Sequence, residues 1–347
     1  MSIASIEDKQ PGEDADVAEI VRGILAVQRH FASEEHRPLC RGTHAKGVCA
    51  RASFEVFDLA TKMRDRALAA RLAQGLFARP GTYPAIVRFA NAESRVRPDG
   101  KADVRAFSFS VEVPAGVLSS AAARVDYSMN NAPVFPINDA HAFAALMKVA
   151  GAGGALAKAK AFVTLPLRDQ IGLLQTAVRG ASEKRDSVRP YQQMRYWSSV
   201  PFQHGATDAV KYSAIPDAGN PARPLQQGPN LLRDELVRHL NEDSRMAAFD
   251  VVLQLLDVER MTCKGARKDA AFWIENAAVE WKEAEAPFHV VGRLTLVPKS
   301  QFPPEACEAM YMDVTEHAAP DSRPLGSINR ARWAAESASR KARMGAR

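Results

Sequence analysis

The stretch RGTHAKG (residues 41–47) puts His44 beside a threonine hydroxyl, Thr43, with the guanidinium of Arg41 three residues upstream. A neutral imidazole can take a proton from a reacting oxygen and return it to a departing one, which makes His44 a candidate acid/base. A satisfied core histidine or a ligand would look the same at this level. Three other stretches supply groups that could complement it. IVRFAN (86–91) carries Arg88, and NNAPVFPIND (130–139) opens with the side-chain amides of Asn130 and Asn131. An amide can orient an oxygen substrate and stabilise charge developing on it. Near the C-terminus, Arg332, Glu336 and Arg343 have offsets of 4 and 11, so one helical stripe would hold all three. His141, His204 and His239 invite a hydrolase triad on paper. No G-x-S-x-G elbow exists to present a nucleophile, and surface or structural roles are expected for them.

The elements that must position these groups follow from periodicity. Residues 1–15 are polar and acidic and are expected to be disordered. From Asp16, Val17, Ile20, Val21, Ile24 and Leu25 share a helical face, and 59–77 reads as a second helix ending at Arg79-Pro80-Gly81. The period then changes to two at 85–91, 104–113 and 124–130, which predicts an antiparallel meander. A helical insert spans about 139–183, with AGAGG (150–154) as a helix break instead of a phosphate loop. Strands return at 209–215, 248–256 and 289–297, and the chain is helical again from Ile328. No βαβ alternation links the halves. A mixed fold around one antiparallel sheet or closed barrel is the class expected. Trp273 and Trp281 read as packing residues and not as a base-stacking platform.

Composition narrows the function classes. At 347 residues and 46% hydrophobic content a sizeable core is available, and no run of about 18 apolar residues suggests a transmembrane segment. The acidic start lacks the pattern of a signal peptide, so a cytoplasmic protein is expected. Cys40, Cys49, Cys263 and Cys307 show no C-x-x-C pairing and are expected to be reduced thiols, with no zinc site. Forty-six Lys and Arg against 40 Asp and Glu give a net charge of +6, mildly favouring anionic partners. The cluster of cations after residue 329 lacks aromatic interleaving and is expected to be a solvated or ligand-facing helix, so no nucleic acid is expected as partner.

Taken in order, these stretches resemble the haem catalase superfamily, and within it the smaller catalase-related proteins without the long catalase tails. RGTHAKGVCARASFEVF is similar to the distal motif R-x-x-H-A-K-G-x-x-A-x-x-x-F-x-V, and IVRFAN to the arginine-bearing V-R-F-S strand. DYSMNNAPVFPIND resembles G-N-N-x-P-V-F-F-I-R-D, and RPLGSINRAR (323–332) the closing motif of the small subfamily. The resemblance runs from about residue 37 to the end. It implies an α+β fold, a catalase-like antiparallel β-barrel with surrounding helices, and a single haem-binding domain over 16–347. It implies heme b, with its iron, as cofactor, and peroxide or an organic (lipid) hydroperoxide as substrate; a homodimer is compatible with it. His44 would be the distal acid/base, Asn130 the distal amide, and Arg41, Arg88 and Arg343 the partners of the haem propionates. The haem would lie in the barrel interior, with His44 and Asn130 on one side and the 332–343 helix on the other.

Two positions depart from true catalases. Thr43 stands where they usually carry valine, as in allene oxide synthase-type relatives. Its hydroxyl could bond the imidazole or the peroxide, favouring organic hydroperoxides, or could satisfy a local backbone group. The family's proximal signature is Arg-x-x-x-Tyr with a second Arg seven residues on; here the set is Arg332, Glu336 and Arg343. A carboxylate is a harder, weaker donor to iron than a tyrosinate, and Arg332 would stabilise it. Glu336 therefore also supports a rival reading, a non-catalytic haem-binding protein or a haem-free lipid binder on the same barrel.

Overall fold

A computed structural model of the chain describes residues 6–39, 41–118, 123–184, 187–220, 224–319 and 321–345. Its centre is a closed antiparallel barrel of eight strands: β1 (Gly47–Val56), β2 (Gly81–Asn91), β3 (Arg105–Glu112), β4 (Arg124–Asn130), β5 (Tyr196–Trp197), β7 (Asp208–Pro216), β8 (Ala247–Leu255) and β11 (Phe288–Gln301). Around the ring the order is β5-β4-β3-β2-β1-β11-β8-β7, and Tyr196 pairing with Ala214 closes it. A short strand, β6 (Phe202–His204), extends β7 outside the ring, and β9 (Thr262–Cys263) and β10 (Ala266–Arg267) form a separate hairpin.

The alternation of each strand decides what fills the barrel. On β3, Phe107, Phe109 and Val111 point inward and are fully buried, with Ala106, Ser108 and Ser110 between them on the outer face. Val87 and Phe89 of β2, Tyr127 of β4, Tyr196 and Phe249 join them, with ring centroids 4.5 Å apart for Phe109–Tyr127 and 4.8 Å for Phe107–Tyr196. The interior is thus solid aromatic and aliphatic packing. No room remains for a large ligand there, so the expected siting in the barrel interior is corrected: the functional cavity lies against the outer face of β2–β4.

Ten helices surround the barrel among the described residues. α1 (Glu13–Glu34), α4 (Ala140–Ala150) and α10 (Ser327–Gly345) pack together through Ile20, Ile24, Ala144, Met147, Ala331 and Ala335. Gly23 permits this approach, since a Cβ there would lie 2.6 Å from the Met147 Cβ. The insert holds α4, α5 (Gly154–Val163) and α6 (Leu167–Glu183), and the glycines at 151, 153 and 154 mark the break between its first two helices. The helix expected over 59–77 is three pieces: α2 (Leu59–Lys62), α3 (Arg66–Leu72) and a 3-10 turn (Gly75–Ala78). Asp58 and Asp65 each accept a backbone N–H from the following turn, which starts two helices where periodicity alone shows one. The remaining helices are α7 (Leu231–Val237), α8 (Ala270–Glu275) and α9 (Pro304–Ala309). Trp273 and Trp281 are buried in a second cluster outside the barrel. No helix of the described residues is long and apolar enough to cross a membrane.

The N-terminal segment differs from expectation. α1 begins at Glu13, and Glu7, Glu13 and Glu275 all pair with Arg330 of α10, so residues 6–15 are anchored; residues 1–5 lie outside the described residues. The expectation of reduced thiols is also corrected. Cys49 on β1 and Cys307 on α9 form a disulfide with Cα atoms 5.5 Å apart, while Cys263 is free and Cys40 lies outside the described residues. The bond ties α9, and with it Glu308, to the barrel. Alkylation of the unfolded protein without reductant should label Cys263 and leave the Cys49 and Cys307 peptides linked in the mass spectrum. Free labelling of both would refute the pairing.

Candidate functional site

His44 is held by its backbone before its side chain does anything. It sits at φ 60°, a left-handed conformation uncommon outside glycine, and its N–H donates to the Ala92 carbonyl at 3.1 Å. The ring Nδ1 lies 3.0 Å from the Asn91 carbonyl oxygen. A carbonyl only accepts, so Nδ1 carries the hydrogen and Nε2 keeps its lone pair. Asn91 is fixed in turn by Arg105, whose Nη1 donates to Asn91 Oδ1 at 2.6 Å, and by the Tyr191 hydroxyl at 3.3 Å. Arg105 is fully buried, and its remaining donors reach the carbonyls of Ser187, Asp99 and Lys101. Burial pushes the His44 imidazole down to about 3, and the neighbouring Arg88 guanidinium pushes the same way, against the bond to Asn91. The resting imidazole is therefore neutral.

The cavity beside it has a volume of about 330 Å³. One wall is the outer face of the meander, where Ala106, Ser108 and Ser128 present small side chains; Thr43, His44, Arg88 and Asn130 rise around them. Arg332, Ala335, Glu336, Ser339, Arg340 and Arg343 of α10 form the facing wall. Asn130 Oδ1 accepts from Ala132 N at 2.9 Å and from Ser199 Oγ at 3.1 Å, which leaves Nδ2 as its donor. Asn131 Oδ1 instead accepts from Arg105 N at 2.7 Å, which holds the start of β3. The hydroxyl of Thr43 has no hydrogen-bond partner among the described residues, so nothing here supports the local-backbone reading of that residue.

Four cations converge on one end of this space and its facing wall. Arg88 donates from Nη2 to the His44 carbonyl at 2.8 Å, while its buried Nε has no partner. Gly47 makes room for it, since a Cβ there would lie 2.7 Å from Arg88 Nη2. Desolvation, then the Arg41 charge, pull Arg88 down to about 9. Burial and Arg343 likewise lower Arg41. Arg41 and Arg343 share the single carboxylate of Glu308, at 3.5 and 3.0 Å. Among the described residues the carboxylate on which half-buried Arg41 and buried Arg343 converge, beside buried Arg88, is Glu308, and an anion entering the cavity would offset the remaining positive charge. The fourth, Arg332, donates to Glu336 Oε1 at 2.7 Å and to Ser128 Oγ at 2.6 Å. Glu336 Oε2 makes no hydrogen bond among the described residues.

The structure thus brings Arg41, Thr43, His44, Arg88, Asn130, Arg332, Glu336 and Arg343 to one cavity. Sequence reasoning missed Arg105 and Asn91, which position the imidazole, and Glu308 and Tyr311 on the facing side. Tyr311 lines the cavity with its ring against the guanidiniums of Arg340 (4.2 Å) and Arg124 (4.7 Å). Asn91 sits in the IVRFAN stretch already singled out for Arg88, the one signal that could have found it. His204 and His239 are buried and bond backbone carbonyls, and His141 lies exposed between Asp16 and Asp169. No cluster of three or more His, Cys, Asp or Glu able to hold a metal ion occurs among the described residues.

The lowered His44 titration makes a stability prediction. Between pH 6.5 and about 3 the unfolded imidazole binds a proton that the folded one does not. Its contribution to stability is therefore complete above pH 6.5 and is lost as pH falls toward 3, by at most about 1.4 kcal/mol per pH unit. The difference in urea-unfolding free energy between wild type and His44→Gln should shrink as pH falls through that window. A pH-independent difference would refute the buried neutral imidazole.

No family model and no curated protein matches the sequence. Solved structures do match the fold. A fungal catalase superposes with a TM-score of 0.65 at 17% identity over 91% of this chain and 62% of its own. Catalase A from Saccharomyces cerevisiae gives 0.66 at 16% over 91% and 63%, and a bacterial catalase 0.61 at 18% over 93% and 61%. The chain therefore spans about three fifths of the length of these proteins. At this likeness over nine tenths of its length, this chain has a catalase-like fold.

Proposed function

We propose that the chain, with residues 16–347 acting as one domain, is a haem-dependent peroxidase or hydroperoxide-converting enzyme that works on organic hydroperoxides or hydrogen peroxide. The observation that carries this reading is a neutral imidazole with Nδ1 locked on Asn91, next to an amide donor and to buried Arg88 whose Nε has no partner. Simple storage of a ligand needs neither the imidazole nor the amide.

The residues present fit a haem on two counts. The unpartnered Nε of Arg88 and the surplus charge of Arg41, Arg88 and Arg343 suit two carboxylates at one end of a planar ligand. The small side chains of Ala106, Ser108 and Ser128 give that ligand a flat wall. On the facing side Glu336 Oε2 is the oxygen donor on the α10 stripe, while Oε1 accepts from Arg332 Nε at 2.7 Å. A bound haem would supply the iron at which the peroxide bond is activated. His44 Nε2 then takes the hydroperoxide proton and returns it to the departing oxygen, and Asn130 Nδ2 donates to the oxygen that gains charge. The Thr43 hydroxyl lines the same cavity as the imidazole and has no hydrogen-bond partner among the described residues, which suits a substrate larger than hydrogen peroxide. The imidazole, pushed below its usual range by burial, is neutral at rest and so free to accept the proton it passes on.

One observation favours a second reading. Glu336 Oε1 is already committed to Arg332, so the carboxylate could serve only to neutralise α10 in a pocket that binds another planar or fatty carboxylate. Haem titration followed by absorption separates the two. Wild type should develop a Soret band, Glu336→Tyr should shift it, and Arg88→Leu should weaken haem affinity about tenfold. His44→Gln should keep the band and lose about a hundredfold or more in hydroperoxide turnover. A wild type with no Soret band at saturating haem, restored by Glu336→Tyr, would sink the enzyme reading in favour of the second.

A further inference from the structure

The insert between β4 and β5 leaves an apolar edge that nothing among the described residues covers. α5 buries none of its residues, and α6 buries only Leu173 and Thr176. Leu156 and Val163 of α5 stand exposed, and so do Leu167, Ile171, Leu174 and Val178 of α6, with Leu156 86% and Val178 72% exposed. The last four fall at i, i+4, i+7 and i+11, a continuous stripe along one helix face. A protein that meets only water does not keep such a stripe bare.

Charge identifies what covers it. Between residue 148 and the end of α6 there are five cations, Lys148, Lys158, Lys160, Arg168 and Arg179, and two acids, Asp169 and the terminal Glu183. Asp169 is committed to His141 at 3.3 Å. Lys148, Lys158, Lys160 and Arg168 are exposed and form no ion pair among the described residues. An apolar helix face flanked by unpaired lysines and arginines matches the boundary between anionic headgroups and acyl chains. A second copy of the chain is disfavoured, because a two-fold contact through this edge would set cations against the same cations.

We propose that the α5–α6 edge is a peripheral docking surface for an anionic bilayer. The surface connects to the cavity: Arg179 of α6 donates from Nη1 to the carbonyl of Pro136 at 2.9 Å, and Pro136 lines the cavity wall. Docking therefore sets that wall near the membrane plane, where amphiphilic molecules partition. The proposal stands whatever the cavity binds.

Full-length protein should co-sediment with phosphatidylcholine vesicles containing phosphatidylserine, and much less with phosphatidylcholine alone or at raised salt. Each cation near the surface adds about a fivefold gain in partition, so Lys158→Gln with Lys160→Gln should weaken binding about 25-fold. Leu167→Glu with Leu174→Glu should abolish it while leaving the circular dichroism and melting curve unchanged, because both side chains are exposed. Absence of sedimentation, or equal sedimentation with and without phosphatidylserine, would overturn the proposal. So would a dimer that the leucine variant converts to monomer with no lipid binding, which would give the edge to a second copy.

Discussion

The hydrogen bond from His44 Nδ1 to the Asn91 carbonyl is the constraint on which the site depends. It fixes the tautomer, the ring plane and the free lone pair at once, and it works only if Asn91 itself cannot move. Asn91 ends β2, its side chain is gripped by the buried Arg105, and Arg105 spends its other donors on three carbonyls of the surrounding loops. A left-handed residue at position 44 is tolerated because the next residue also bonds its N–H, to the Glu93 carbonyl, so both ends of the turn are held. Removing Arg105 would strip its donors from the Ser187, Asp99 and Lys101 carbonyls and leave Asn91 Oδ1 with only the 3.3 Å bond from Tyr191, and the imidazole would lose its aim before the barrel lost its shape.

The barrel contributes by being solid. Phe and Tyr on alternate positions of β2, β3 and β4 fill the inside, and the same period-two rule forces Ala106, Ser108 and Ser128 to the outside. Filling the interior and leaving a shallow polar wall outside are one decision in the sequence AFSFS. The helices α1 and α10 then close over that wall, with Gly23 letting α1 approach α4. The cavity is therefore a gap between two layers, which explains how charged groups from four distant segments reach it without crossing a hydrophobic core.

Much of this could be read from the chain. The strand at 124–130 has the bounds its alternation predicts, and the other five strands that periodicity marks fall within a few residues of their places. The C-terminal helix from about 328 presents Arg332, Glu336 and Arg343 to one space, as offsets of 4 and 11 require. What could not be read is what depends on distance in space. The Cys49–Cys307 bond joins residues 258 apart in sequence, and two isolated cysteines carry no sign of it. The break of 59–77 into three pieces rests on Asp58 and Asp65 acting as caps inside an apolar pattern. Arg105 looks like a strand-edge cation until Ser187 and Asn91 are seen around it. The side of the barrel wall that faces a ligand is also invisible to periodicity, which gives two faces and not their occupants.

The charge distribution ties the cavity to its unusual residue. A tyrosine at 336 would leave Arg332 facing the cavity as a fourth uncompensated guanidinium unless the phenol ionised. Glutamate neutralises Arg332 at 2.7 Å and keeps the positive surplus at the opposite end, on Arg41, Arg88 and Arg343. The site is thereby polarised, with its demand for an anion concentrated where Arg41 and Arg343 converge on Glu308 beside Arg88. A ligand with carboxylates at one edge and a neutral or cationic centre near Glu336 satisfies both ends. A simple fatty acid satisfies only the first, leaving Glu336 Oε2 without a partner in the cavity wall. That asymmetry favours a ligand with two distinct ends over a plain carboxylate, and it follows from the charges of α10 and α9 without reference to any relative.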